Sequence, residues 1–232
     1  KDELDEAKAQ DVTLDYHPKD VTATGATRYQ FFVDYVRQKL LASYDSGTVY
    51  KGGLTVKTTL DPKAQDAAEA AVAEVASSNG VDGMNSAVVA LDPSSGAILA
   101  MVGGTGYSGA GSFNAATDAS RQAGSSFKTI ALTAAINEGV NPESTWDATS
   151  PRYFNDGKYK VQNYGNHNYG HISLARATEL SSNTVYVDLG EKIGISKVVD
   201  MGAKLGIDST LNPNPSLVLG TAGVTPMEMA EV

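Results

Sequence analysis

Ser125-Ser126-Phe127-Lys128 sets a hydroxyl and an amine three residues apart, just ahead of the apolar run Ile130 to Ile136. On a helix that spacing stacks the two side chains on one face, within reach of each other. A serine beside an amine is equipped for acyl transfer: the hydroxyl attacks a carbonyl and the lysine takes its proton. Lysine acts as a base near neutrality only if its pKa falls by about three units, roughly 4 kcal/mol of bias. Burial behind Phe127 and the apolar run would supply it. With Ser125 at the N-terminus of the helix, unpaired backbone N–H groups and the helix dipole also favour negative charge on the attacked carbonyl.

Spacing alone does not assign a nucleophile, since a chain of this length carries about one such tetrad by chance. A second element joins it. Ser181-Ser182-Asn183 lies between two helical patterns, Leu174 to Leu180 and Thr184 to Leu189. There a hydroxyl can pass a proton between lysine and leaving group, and an amide can hold both a substrate peptide bond and the lysine. Two other triplets of the same form, Ser77-Ser78-Asn79 and Ser112-Phe113-Asn114, fall in polar or glycine-rich stretches and read as helix-end and loop chemistry.

Other chemistries fare worse. No cysteine occurs among the 232 residues, which excludes disulfides, thiolate metal sites and cysteine nucleophiles. His167 and His171 stand four apart, but among glycines and asparagines that no helix accommodates, so no metal site is expected. A Ser-His-Asp triad using His17, His167 or His171 ranks below the lysine reading, because the two serine motifs coincide. A net charge of −9, from 18 basic against 27 acidic residues, argues against nucleic acid. No apolar stretch approaches the roughly 20 residues of a membrane-spanning helix.

The elements that must position these groups follow from periodicity. Residues 1–20 are strongly charged, the acidic part reading as a solvated helix, with Val12 to Pro18 extended. Phe32, Val33, Val36, Leu40 and Leu41 mark an amphipathic helix over 28–41, ended by Asp45-Ser46-Gly47. Leu54 to Leu60 alternates with period two and reads as a strand. Asp61-Pro62 opens an alanine-rich helix to Ser77. Ser86 to Leu91 and Ala97 to Val102 form a hairpin about Asp92-Pro93-Ser94-Ser95-Gly96. The helix of Lys128 stops at Gly139, residues 140–170 show little periodicity, and helices recur at about 173–180, 182–192 and 195–204. A last one starts at Thr225-Pro226. The aromatics Trp146, Tyr153, Phe154, Tyr159, Tyr164 and Tyr169 read as packing, or else as walls of a groove.

Several blocks resemble class A penicillin-binding proteins, members of the penicillin-recognising serine enzymes. They are Gly53 to Pro62, Ala87 to Gly104, Arg121 to Lys128, Asn163-Tyr164 through Asn183, and Leu219-Gly220 with Val224 to Ala230. The resemblance runs from about residue 27 to the end. It implies an α+β (mixed α/β) fold with a central antiparallel sheet flanked by helices. It further implies Ser125 as acyl acceptor, Lys128 as its base, Ser181 as proton relay, Asn183 as substrate ligand and the Ser125 N–H as half of an oxyanion hole. Ala123 stands where the family often has proline.

The implied activity is peptidoglycan DD-transpeptidation of stem peptides through a serine acyl-enzyme, blocked by β-lactam antibiotics and needing no cofactor. The rivals are a carboxypeptidase or β-lactamase, and a non-catalytic β-lactam sensor. Residues 1–26 would be the tail of a glycosyltransferase domain or linker, 27–84 the linker and start of the transpeptidase domain, and 85–232 its N-terminal part. The family's Lys-Thr-Gly motif is absent; Lys192-Ile193-Gly194 and Lys204-Leu205-Gly206 read as helix ends. The expectation is therefore that a C-terminal remainder, as a further chain, completes the domain. The location implied is the extracytoplasmic face of the cell membrane, with the anchor upstream.

Overall fold

A computed structural model describes residues 28–78 and 85–232. The readings placed on residues 1–27, His17 and the charged helix among them, lie outside the described residues. Among those described, helices and short strands are mixed, and no helix is long and apolar enough to cross a membrane.

The N-terminal half is built around a hairpin. Strand β1 (Val88–Leu91) pairs antiparallel with β2 (Ile98–Val102), closed by a turn in which Gly96 takes φ +70° and donates to Asp92 O. Alternation along β2 splits its side chains between two helices. Met101 meets Phe32 of α1 (Gln30–Ser43) and Met227, while Ala100 and Val102 meet Ala68 and Val72 of α3 (Pro62–Ser78). Helix α3 starts as its sequence predicts, with Asp61 Oδ1 accepting from the Lys63 and Ala64 N–H groups ahead of the first turn.

Two expectations for this half change. Helix α1 begins at Gln30 and turns Phe31, not Val33, toward the core, leaving Val33 42% exposed. Asp34 on the same helix is buried, where it accepts from Arg37, Gln38 and the Gly111 N–H. The helix stops at Ser43, just ahead of Asp45 as expected, and the Asp45 carboxylate accepts from Thr48 N–H and caps a second short helix, α2 (Ser46–Lys51). Leu54 to Leu60 is not a strand: it meets the outer edge of β2 through a hydroxyl near its end and not through a backbone ladder. Thr59 Oγ1 donates to Ile98 O and Asp61 N–H to Leu99 O. Gln65, 1% exposed, donates to Met101 O at 3.0 Å and accepts from Met101 N–H at 2.8 Å, so a side-chain amide completes the edge.

The second half is a helical core. Helix α4 (Lys128–Asn137) packs on α6 (Asn183–Ile193) and α7 (Ile195–Lys204), with Ile130, Ala134, Val185, Leu189 and Val198 buried between them. Around it lie β3 (Arg121–Gln122) paired with β8 (Gly223–Val224), β4 (Thr145–Asp147) with β7 (His171–Ser173), and β5 (Arg152–Phe154) with β6 (Tyr159–Val161). The aperiodic stretch 140–170 thus holds three-residue strands too short to show alternation. Helix α5 (Leu174–Glu179) precedes the Ser181 loop, and α8 (Pro226–Glu231) opens on the capping box of Thr225 and Glu228. Lys192 and Lys204 do sit in helix last turns, each followed by a glycine of positive φ. The expected central antiparallel sheet is present as the two-stranded β1–β2 hairpin between helices, and the three further two-stranded ladders belong to the second half.

Candidate active site

The turn that presents Ser125 is built by two glycines and a 3-10 helix. Gly124 takes φ +60° and donates its N–H to Gly220 O at 3.1 Å, fixing where the chain leaves β3. Residues Gly124–Phe127 then form one 3-10 turn before α4 starts at Lys128. The α-helix was expected to begin around Ser125, so the tighter turn is a correction, and it suits the contact. At three residues per turn, positions i and i+3 eclipse. Lys128 Nζ lies 3.1 Å from Ser125 Oγ. Phe127 is fully buried and pins the turn, leaving Ser125 exposed and Lys128 only 4% exposed.

Ser181 arrives from the other side on a helix C-terminus. Its N–H donates to Thr178 O and that of Ser182 to Ala177 O, the paired bonds of a Schellman motif with Ser181 in the left-handed position at φ +52°. Glycine is the usual residue there, and a serine costs about 1 kcal/mol or more of backbone strain. The bend turns both oxygens of Ser181 onto the lysine. Nζ to Ser181 O is 2.8 Å and to Ser181 Oγ 3.0 Å. Asn183, at the first position of α6, brings Oδ1 to 2.7 Å from Nζ while its Nδ2 donates to Gln162 O.

Of the four residues singled out from the sequence, three therefore converge on the amine of the fourth, Lys128. Its chemistry follows from counting donors. Ser181 O and Asn183 Oδ1 can only accept, the latter with the amide oriented by Gln162 O. They consume two N–H groups. A neutral amine has two N–H groups and one lone pair, so the lone pair is left for a hydroxyl, Ser125 or Ser181. Burial lowers the pKa of Lys128 from 10.5 to about 8, in the direction a base requires. No ion pair to Lys128 is present among the described residues.

Three contributors were missed in the sequence. The ring of Tyr186 lies 5.3 Å under Nζ, with its hydroxyl held by Thr178 Oγ1 at 2.8 Å. Its spacing of three from Asn183 on α6 was the available signal. Gly220 and Asn163 have no local signature, since each acts through a contact between distant segments. His167 stacks on Tyr169 and bonds Tyr164 O, and neither it nor His171 is hydrogen-bonded to Ser125. Of the aromatics, Trp146 and Phe154 are buried, whereas Tyr153 is exposed and Tyr164 is 92% exposed.

Comparison with known proteins identifies related chains. Residues 86–231 match the family model of the penicillin-binding protein transpeptidase domain. Penicillin-binding protein 1A of Aquifex aeolicus is 36% identical over 149 residues, which cover 63% of this chain and 20% of that protein. Penicillin-binding protein 1B of Escherichia coli is 34% identical over 212 residues, covering 86% of this chain and 25% of that protein. The chain thus spans about a fifth to a quarter of the length of these curated relatives. The structure of PonA1 from Mycobacterium tuberculosis in complex with penicillin V superposes with a TM-score of 0.73 at 32% identity, over 85% of this chain and 55% of that one. The chain belongs to the penicillin-binding protein transpeptidase family, of the class A type.

Proposed function

We propose that the chain carries the acylation centre of a serine DD-transpeptidase that cross-links peptidoglycan stem peptides at the outer face of the cell membrane. The observation that supports it most is the single buried amine bonded at once to Ser125 Oγ, Ser181 Oγ and Asn183 Oδ1. In this reading Ser125 Oγ attacks the carbonyl of a D-Ala-D-Ala amide and its proton passes to neutral Lys128 Nζ. Ser181, touching the same amine, carries that proton on to the leaving nitrogen, so the C–N bond breaks with release of D-alanine. The remaining ester then forms an amide with an amine of a neighbouring stem. The Ser125 N–H, in the first turn of a helix where N–H groups lack intrahelical acceptors, serves the oxyanion. Asn183 has one amide face to the lysine and stands where a substrate amide can bond.

A β-lactam presents a strained amide to the same hydroxyl. Its leaving nitrogen stays tethered after ring opening, so the acyl-enzyme persists. The experiment is product analysis with a D-Ala-D-Ala donor and an amine acceptor, in the full chain. A cross-linked peptide product supports transpeptidation. Hydrolysis alone would replace it with the carboxypeptidase or β-lactamase reading, and one-time acylation by β-lactam without peptide turnover with the sensor reading.

A further inference from the structure

Asn163 is a buried amide, 3% exposed, that the acylation scheme does not use. All of its polar capacity is spent between two parts of the fold. Nδ2 donates to Ala148 O at 3.1 Å and His167 O at 3.0 Å. Oδ1 accepts from Ser182 Oγ at 3.1 Å and from Thr184 N–H at 3.2 Å, with Thr184 Oγ1 at 3.4 Å. The backbone carbonyls only accept and the Thr184 N–H only donates, which fixes the orientation of the amide. Next to it, Gln162 O accepts from Asn183 Nδ2 at 2.9 Å. Residues 162 and 163 therefore grip both flanks of Ser182 and Asn183, while Ser181 rests in a strained turn with no regular element of its own.

We propose that Asn163 is a positioning residue: through Ser182 and Thr184 it holds Ser181 and Asn183 where they engage two N–H groups of Lys128 and leave its lone pair for Ser125. This rests on the reading of Ser125 and Lys128 given under Proposed function. Asn163 itself touches neither the amine nor Ser125. Its partners bracket the two residues that do, so the side chain sets their spacing. A displacement of about 1 Å at such a site costs up to about a hundredfold in rate.

The test follows the second-order rate of acylation by a fluorescent penicillin across pH, per folded molecule, in the full chain and its Asn163→Ala and Ser182→Ala variants. The expected result has two parts. The plateau falls by about tenfold to a hundredfold. The limb set by Lys128 moves to lower pH, because drifting acceptors no longer favour the ammonium form. The groups facing Lys128 are the Ser125 and Ser181 hydroxyls, the Ser181 carbonyl, the Asn183 amide and the Tyr186 ring, none of them charged at these pH values.

A merely structural role scales the rate equally at all pH values and leaves the limb in place. That result, or an upward shift, overturns the proposal. If Asn163→Ala fails to fold, Ser182→Ala carries the test: it cuts one link to Oδ1, together with the α6 cap to Val185 N–H, while Ala148, His167 and Thr184 still hold the amide. Ser125→Ala run alongside separates two failures. Labelling that survives it overturns the serine reading and this proposal together; labelling lost there, with an unmoved limb in the other variants, overturns the positioning role alone.

Discussion

Gly220 presses its α-carbon against the backbone of Gly124, so that a β-carbon on Gly220 would stand 2.1 Å from Gly124 O and 2.5 Å from Gly124 N. The contact couples the 3-10 segment Leu217–Leu219 to the turn that presents Ser125. Gly220 also has φ +72°, so a side chain there is strained as well as obstructed. Backbone on both sides must move to admit one. Gly220→Ala is expected to lower the acylation rate by about a hundredfold, the cost of a misplacement near 1 Å. Stopped-flow acylation by a chromogenic β-lactam measures it; a rate within twofold of wild type would mean the turn is set elsewhere.

The Lys128 amine sets a pH dependence with a definite sign. Its pKa of about 8 lies below 10.5, so the neutral form needed to accept the Ser125 proton grows as pH rises and saturates above 8. At pH 7 about a tenth of the molecules hold it neutral. The acylation rate should therefore climb about tenfold per pH unit below the pKa and level off above it. For stability the same shift means that unfolding gives lysine back its affinity for protons. The burial penalty weighs fully below pH 8 and fades as pH rises from 8 toward 10.5. A rate flat from pH 6 to 9 would remove lysine as the base.

Ser181 separates stability from activity. Glycine is at ease at φ +52° where serine is strained, so Ser181→Gly should hold or raise stability by up to about 1 kcal/mol. The same change removes the hydroxyl 3.0 Å from Nζ, and acyl transfer should slow by about a hundredfold or more. Thermal unfolding and peptide turnover on one sample check both halves. Full turnover by the glycine variant would rule out the relay.

Gln65 replaces a strand with a side chain. Gln65→Leu would leave the Met101 N–H and carbonyl buried without partners, at about 1–3 kcal/mol for each group. Urea unfolding should show a loss of about 2–6 kcal/mol on that basis. A loss under 0.5 kcal/mol would mean the edge finds another partner.

How much of this was legible depends on the range of the determining contact. Helices α3 to α8, the β1–β2 hairpin and the Ser125–Lys128 and Ser181–Asn183 pairs are local, written in periodicity, caps and spacings of two or three residues. Leu54 to Leu60 has strand composition but meets β2 through the Thr59 hydroxyl rather than a backbone ladder, while Asp61 and Gln65 hold the edge beyond it. Phe31 replaced Val33 in the core because periodicity gives the spacing of a face and not which flank of the apolar run Phe31-Phe32-Val33 it includes. The 3-10 turn at Ser125 follows from Gly124 meeting Gly220, ninety-odd residues apart in the chain. Asn163 was invisible for the same reason: an asparagine in a glycine-rich loop looks like turn chemistry until Ser182 and Thr184 fold onto it.

The most direct measurement is the intact mass of the protein after incubation with penicillin, followed by peptide mapping of the adduct. The account predicts one added penicillin, carried on the peptide containing Ser125 and absent from the Ser125→Ala variant. An adduct that survives in that variant, or maps to another residue, would contradict it.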